Sequence, residues 1–165
     1  MNSVAATLED RTTDGTGPSG LELLRGLQER GPAAVGVGGL LDMRLDSVEP
    51  GRVEFVLRTR PDFGNPHGTV HGGITATLLD SAMGCAVLSE LPPTARYTTV
   101  DLSLTNLRSV PLDGIRLRAA GEVVHMGRRI ATAEGRVTDE GGHLIATAST
   151  TCLVTRDDGP REVPR

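Results

Sequence analysis

A single carboxylate interrupts an apolar segment near the middle of the chain. Asp80 is the only charged residue between Gly72 and Ser89, in a stretch long enough to form a helix. The Gly72-Gly73 pair at its start lets a ligand approach unpaired backbone N–H groups, where the helix dipole favours negative charge. A developing oxyanion can be held there, with Asp80 two turns along the helix as general base or nucleophile. Asn65, in the preceding loop, adds an amide that can fix a carbonyl or a water.

The two faces of this predicted helix differ in character. On a helical wheel, the residues Ile74, Leu78 and Cys85 lie opposite Asp80. The neighbours of Asp80 on its own face are Ala76, Thr77, Met83 and Gly84, and all of them except Met83 are small. A lone acid beside small residues predicts room for a ligand to approach it. The alternative is that Asp80 lies at the exposed edge of the helix or caps a nearby backbone N–H.

Periodicity and chain-breaking residues predict the elements that position these groups. Residues 19–31 form an amphipathic helix capped by Ser19, and alternation on both sides of a turn at 49–51 predicts a hairpin. The helix of residues 72–90 ends before Pro92, and four strand-like runs follow. One face of the first run is predicted to carry Thr98, Val100, Leu102 and Leu104. The order predicts an α+β fold, with an antiparallel sheet of about six strands and one dominant central helix to cover it.

A single domain is expected over residues 20–155. Residues 1–19 are rich in Thr, Gly, Asp and Ser, and they are predicted to form a disordered tail. Residues 156–165 are charged and contain two prolines, and they are predicted to form a flexible tail. No internal repeat is visible.

Composition argues against several classes of partner. The net charge is −4, all 17 basic residues are Arg and only 2% of residues are aromatic, so neither charge nor base stacking favours nucleic acid. No run reaches the roughly 18 apolar residues of a membrane span, and no secretory signal is expected at the N-terminus. Cys85 and Cys152, in apolar surroundings, predict reduced core cysteines, which fits a cytoplasmic protein.

Two histidines precede the helix and raise the question of a metal site. His67 and His71 are four residues apart, but no acid follows in a zinc-binding pattern, and a glycine-rich loop does not fix ligand geometry. We therefore predict no metal site. His71 is expected to support the loop by hydrogen bonding and to touch the substrate, and His67 is expected to lie on the loop surface.

Three motifs resemble those of a known enzyme family. They are NPHGTVHGGITATLLDSA, TTVDLSLTNLRSVP and GEVVHMGRRIATAEGRVTDEGGHLIATASTT. They resemble the hotdog-fold acyl-CoA thioesterases of the phenylacetyl-CoA (PaaI-like) branch, from about Leu40 to Val154. The similarity is most specific in the Asn-x5-His-Gly-Gly-x6-Asp arrangement. In that family a strongly curved antiparallel sheet wraps a long helix, so the resemblance implies this fold.

The resemblance implies a role for each residue that matches the family pattern. Asp80 would act as general base or nucleophile on a thioester, and the Gly72 N–H would bind the thioester oxygen. Asn65 would position the water or the thioester. Thr99 would approach the site from the partner subunit, with its neighbour Thr98 as the alternative. The active site would then lie at a homodimer interface, and two dimers would pair into a homotetramer.

Further residues are candidates for substrate binding. Gly73 and His71 lie next to the expected oxyanion site. Arg128 and Arg129 start a predicted strand, which the resemblance places near the CoA phosphates or the pantetheine entrance; a solvated turn is the alternative. Arg108 is a candidate of the same kind. CoA would arrive as part of the substrate, so no dissociable cofactor is expected.

These features predict an acyl-CoA or aryl-CoA thioesterase that releases a free acid and CoA. Two alternatives remain open. A hotdog enoyl-thioester hydratase or dehydratase relies on an Asp-His pair, whereas His71 lies nine residues before Asp80. A non-catalytic acyl-CoA-binding module would be expected to lack the acid.

Overall fold

The computed structural model of the chain describes residues 16–31 and 36–156, which form three α-helices and six β-strands. The helices are α1 (Gly20–Arg30), α2 (Gly36–Leu40) and α3 (Gly72–Ser89). The strands are β1 (Arg44–Glu49), β2 (Arg52–Arg58), β3 (Ala95–Asn106), β4 (Arg116–Met126), β5 (Ile130–Thr138) and β6 (Leu144–Arg156). Residues 1–15 and 157–165, which belong to the predicted tails, lie outside the described residues.

Helix α1 begins with a complete capping box. The Ser19 hydroxyl accepts a hydrogen bond from the Glu22 N–H at 3.3 Å, and the Glu22 carboxylate accepts one from the Ser19 N–H at 2.8 Å. The helix ends at Gly31, whose φ of 83° favours glycine. The helix predicted for residues 19–31, with Ser19 as its cap, is confirmed.

The six strands form one antiparallel sheet in the order β1-β2-β4-β5-β6-β3. A tight turn at Gly51 joins β1 to β2, which confirms the predicted hairpin. The alternation indicated that the first strand includes Leu41 and Met43. In the structure both residues precede β1, which begins at Arg44, and both are buried in the core. Helix α2 was not predicted, since its glycine-rich sequence carries no helical periodicity.

Helix α3 lies at the centre of the core and packs against all six strands and α1. At Gly121 of β4, a Cβ atom would collide with the backbone of Ala82 and Met83, so helix and sheet approach very closely there. The helix is 18 residues long with a mean hydropathy of 1.2, which would suffice for a membrane span by length and composition alone. Its contacts with the sheet are those of a core helix. The predicted α+β architecture is therefore confirmed.

Strand β3 lies at one edge of the sheet and contains a bulge. Its register with β6 shifts between Thr99 and Asp101, and Val100 is 58% exposed. The common face predicted for Thr98 and Leu102 was wrong before the bulge, because Thr99 rather than Thr98 faces α3. After the bulge, Leu102 packs against the core. A bulge adds one residue to one strand, so the alternation of side chains changes phase across it.

A cluster of charged residues links β1, β2 and β4. Arg118 contacts the carboxylates of Asp46 and Glu54, the latter at 2.6 Å, and Arg52 contacts Glu54 at 2.8 Å. The Arg52 guanidinium, followed by that of Arg118, holds the pKa of Glu54 below its usual value. Because the Glu54 side chain is only 13% exposed, this cluster is expected to contribute to stability.

Candidate active site

The N-terminus of α3 presents a free backbone donor. His71 is the N-cap residue, and its Nδ1 accepts a hydrogen bond from the Gly73 N–H at 2.9 Å. This bond requires the ring tautomer with an unprotonated Nδ1. The Gly73 donor is therefore used within the cap, whereas no partner of the Gly72 N–H is found among the described residues. The geometry leaves Gly72, rather than Gly73, as the candidate oxyanion donor, with His71 in support.

Asn65 organises the loop before α3. Its Oδ1 accepts hydrogen bonds from the N–H groups of His67, at 2.9 Å, and Thr69, at 3.2 Å. Its Nδ2 donates to the Thr69 hydroxyl at 3.0 Å. The Asn65 side chain is thus engaged within its own loop. This loop lies beside the start of α3, because Asn65 and Gly72 line the same cavity.

Asp80 meets Thr99 of the same chain. The Thr99 hydroxyl donates a hydrogen bond to Oδ1 of Asp80 at 3.0 Å. Thr98 is exposed on the other face of β3. The expectation that Thr99 approaches from the partner subunit was wrong, because β3 packs against α3 and turns the Thr99 side chain toward it.

Gly72 and Asp80 lie too far apart in one chain to act on the same carbonyl. They are eight residues apart on α3, which corresponds to about 12 Å along the helix axis. Groups that act on one carbonyl and its attacking water need hydrogen-bond distances of about 3 Å. One chain therefore contributes two separate parts: the Gly72 half-site, with Gly72 and Asn65, and the Asp80 half-site, with Asp80 and Thr99.

The space predicted beside Asp80 is largely filled. Gly84, one turn after Asp80, is covered by Tyr97, since a Cβ atom at Gly84 would lie 2.5 Å from the Tyr97 Oη. Met83 is fully buried in the core. The prediction of open space at these two positions was wrong, because a helical wheel does not show which strand packs on a face. Ala76, one turn before Asp80, is partly buried.

The titratable groups around Asp80 are protonated at neutral pH. Burial raises the pKa of the Cys85 thiol to about 12, and the charge of Asp80 adds to this. Burial also raises the pKa of Tyr97 and of Cys152, again with a contribution from Asp80. Both cysteines are free. A protonated thiol is a poor nucleophile, so neither cysteine is a candidate nucleophile.

Two residues beside Gly72 were not identified from the sequence. The side-chain amide nitrogen of Asn106 lies 2.9 Å from the position of a Cβ atom at Gly72. The Oδ1 of Asn106 lies 2.8 Å from the hydroxyl of Thr75, a buried residue of α3. These groups line a cavity of about 340 Å³, together with Asn65 and Arg108. Both residues lie within the quoted motifs, but the sequence gives neither of them a role, so only the packing of β3 against α3 reveals them.

Arg128 and Arg129 lie in the exposed turn between β4 and β5. The prediction that they start a strand was wrong, because β5 begins at Ile130. Their carbonyl groups accept hydrogen bonds from the side chain of Arg156 and the N–H of Val154, which attach the turn to β6. Neither arginine lines the cavity at Gly72, whereas Arg108 does.

Metal ligands do not cluster in the described part of the chain. Within residues 16–31 and 36–156, no group of three or more His, Cys, Asp or Glu side chains is placed to hold a metal ion. His67 lies on the exposed surface of its loop.

Comparison with known proteins identifies the family. Residues 67–146 match the family model of the thioesterase superfamily. Human acyl-coenzyme A thioesterase 13 is 31% identical over 103 residues, which are 62% of this chain and 72% of that protein. A Halobacterium salinarum protein named as an esterase is 44% identical over 73 residues, which are 43% of this chain and 46% of that protein. The match therefore spans less than half of that relative.

A solved structure extends this similarity over more of the chain. A variant of the phenylacetic acid degradation protein PaaI from Thermus thermophilus is 28% identical in sequence. It covers 69% of this chain and 94% of its own, with a TM-score of 0.64.

A six-stranded antiparallel sheet around one long helix is the hotdog fold, and the relatives of this chain are thioester hydrolases. The chain belongs to the thioesterase superfamily, and within it is similar to the PaaI proteins. The predicted fold, family and enzyme class are confirmed. The roles of the individual site residues stay predictions.

Proposed function

We propose that the protein hydrolyses acyl-CoA thioesters to a free carboxylic acid and CoA, with Asp80 driving the attack of water. The observation that carries this proposal is the hydrogen bond of 3.0 Å from the Thr99 hydroxyl to Asp80 Oδ1. It fixes the orientation of the acid on a helix that carries no other charge. The similarity to human acyl-coenzyme A thioesterase 13 supports acyl-CoA as the substrate class.

A complete site would need two protomers. The edge strand β3 pairs only with β6 within the described chain, so its other edge offers unpaired backbone groups to a second copy. Thr99 and Asn106 lie toward opposite ends of β3, beside the Asp80 half-site and the Gly72 half-site respectively. Antiparallel pairing about a two-fold axis near the middle of β3 would bring the Thr99 end of one strand to the Asn106 end of the other. The Asp80 half-site of one protomer would then face the Gly72 half-site of its partner.

The two half-sites together supply the groups that thioester hydrolysis requires. Asp80 removes a proton from the attacking water, and the carbonyl electron pair moves to the oxygen, which accepts a hydrogen bond from the Gly72 N–H. The tetrahedral intermediate then expels the CoA thiolate, which takes the proton from Asp80. In the second route Asp80 attacks the carbonyl directly and displaces the CoA thiolate. Water then hydrolyses the resulting anhydride to the free acid and regenerates the Asp80 carboxylate, and the proton released goes to the thiolate. Thr99 serves both routes, because it occupies Oδ1 and directs Oδ2 toward the substrate.

The substrate is proposed to bind through the cavity at Gly72. Arg108 provides a cation there for the phosphates of CoA, and Asn65 holds the loop that forms one wall. The exposed Arg128 and Arg129 are a second candidate contact for the CoA phosphates. No dissociable cofactor is needed, since a thioester carbonyl is already activated toward attack. We further propose a homodimer, which can pair into a homotetramer, and a cytoplasmic location in which the two free cysteines stay reduced.

The hydratase alternative would need an imidazole beside Asp80. Within the described residues of one chain no such Asp-His pair forms, because His71 caps the N-terminus of α3, nine residues before Asp80. In the proposed dimer the Gly72 half-site of the partner, which includes its cap, would face Asp80, so the thiol-release assay that follows tests this alternative together with the binding module.

The experiment is thiol release from short, medium and long acyl-CoAs, phenylacetyl-CoA and hydroxybenzoyl-CoA, for the wild type and Asp80→Asn. Asp113→Asn, at an exposed loop position, is the matched control. We expect Asp80→Asn to lower kcat by about 10²-fold or more, with Asp113→Asn unchanged. Binding of these esters without release of thiol by the wild type would reject hydrolysis and favour a binding module.

A further inference from the structure

Two side chains of β3 meet two positions of α3 that are one helical turn apart. Thr99 donates to Asp80, and Tyr97, two residues earlier on the same face of β3, covers Gly84. Positions i and i+4 of a helix are neighbours, with Cβ atoms about 5–6 Å apart. The Tyr97 phenol therefore lies on the same face of α3 as the Asp80 carboxylate, about one turn from it.

Gly84 is the residue that admits this phenol. A Cβ atom there would lie 2.5 Å from the Tyr97 Oη and 3.0 Å from two ring carbons, so any other residue would displace the ring. Glycine destabilises a helix interior relative to alanine. The close approach of Tyr97 thus accounts for a residue that the helix itself does not favour.

The Tyr97 hydroxyl is suited to bind a polar group. Burial raises the pKa of Tyr97, and the nearby cysteines and Asp80 add to this, so the phenol stays protonated. Within the described chain no hydrogen-bond partner of this hydroxyl is found, and Thr99 occupies Oδ1 of Asp80 but not Oδ2. Neighbouring polar groups in a partly buried site are commonly bridged by water.

We propose that the Tyr97 hydroxyl is a further group of the catalytic site, which holds the hydrolytic water against Oδ2 of Asp80. This inference rests on the proposed thioesterase reaction with Asp80 as general base. The water directs one proton to Asp80 Oδ2 and donates its other hydrogen to Tyr97 Oη, which leaves a lone pair free for the carbonyl carbon. As the C–O bond forms, the first proton moves to Asp80. The carbonyl electron pair moves to the oxygen held by the partner subunit's Gly72.

The first test is Tyr97→Phe, which keeps the ring packed on Gly84 and removes only the hydroxyl. We expect kcat to fall about tenfold, as for the loss of one hydrogen bond, with little change in KM or in the unfolding midpoint. A purely structural role would change the unfolding midpoint rather than kcat alone.

Asp80→Asn, measured in the same assay, separates this inference from the proposed function. If Asp80→Asn retains the wild-type kcat, the proposed function fails. If Asp80→Asn is inactive while Tyr97→Phe keeps the wild-type kcat, only the role of Tyr97 is overturned.

A second test moves the hydroxyl from the strand to the helix. Tyr97→Val makes room at Gly84, and Gly84→Ser in that background returns a hydroxyl to the same face, one turn after Asp80. The matched control is Gly84→Ala in the same background. We expect the serine variant to have a kcat several-fold above that of the alanine variant at equal unfolding midpoints. Equal kcat values at equal midpoints would overturn the proposal.

Discussion

Replacing Gly72 by proline removes one hydrogen-bond donor while leaving the start of α3 intact. Gly72 is the first residue of the helix, where the N–H has no intrahelical partner and proline is well tolerated. The preceding His71 has φ of −65° and ψ of 134°, an extended conformation that a following proline also requires. The substitution therefore removes the candidate oxyanion donor without breaking the helix.

The expected effect is a fall in kcat of about 10²–10³ for Gly72→Pro in the thiol-release assay, which is typical for the loss of one oxyanion donor. Gly72→Ala is the matched control, because its Cβ crowds the Asn106 amide in the same way but keeps the N–H. We expect the alanine variant to remain within about tenfold of the wild type, since a displaced side-chain hydrogen bond costs no more than this. If the two variants have the same kcat, the Gly72 N–H does not bind the oxyanion.

The remaining predictions concern the Thr99 hydrogen bond to Asp80, two glycines within helices and the pH dependence of stability. Thr99→Val is expected to lower kcat about tenfold through loss of one hydrogen bond, with the exposed Thr98→Val as control; equal activities would reject this role. Gly84→Ala is expected to lower the free energy of unfolding by about 1 kcal/mol or more through overpacking. Gly26→Ala, whose Cβ would make only an ordinary contact with the Arg30 side chain at 3.7 Å, should raise the free energy of unfolding by up to about 1 kcal/mol. Urea denaturation that reverses this order would contradict the packing described. Arginines hold the pKa of Glu54 below its ordinary 4.5, so its stabilisation is complete above that pH and is lost as pH falls through the folded-state pKa. Denaturation below about pH 5 should therefore show a shallower loss of stability for Glu54→Gln, and identical slopes would refute this.

The elements that could be predicted are those determined by residues close together in the sequence. Helix α1 follows from its cap, its periodicity and its terminal glycine, and α3 follows from an unbroken run that ends before Pro92. The bulge at Val100 could not be predicted in this way, because it depends on the register between β3 and β6, which lie far apart in the sequence.

The same distinction applies to the residues of the candidate site: some could be identified from the local sequence, and others only from tertiary packing. Gly72 and Asp80 were identifiable because a glycine at a helix start and a lone acid in an apolar helix have chemical meaning by themselves. Tyr97 and Asn106 carry no such signal, and only tertiary packing brings them to α3. The same packing corrects the assignment of Thr99, which contacts Asp80 within one chain rather than across an interface.

The central claim, that each active site joins two protomers, is tested most directly by mixing two inactive variants. Asp80→Asn and Gly72→Pro chains are unfolded together, refolded as a 1:1 mixture and assayed for thiol release. In a mixed two-fold dimer one site would combine both defects, and the other would contain an intact Asp80 half-site and an intact Gly72 half-site. Half of the dimers would be mixed, so we predict recovery of about a quarter of wild-type activity. A mixture as inactive as either variant alone, with dimers present, would contradict a shared site.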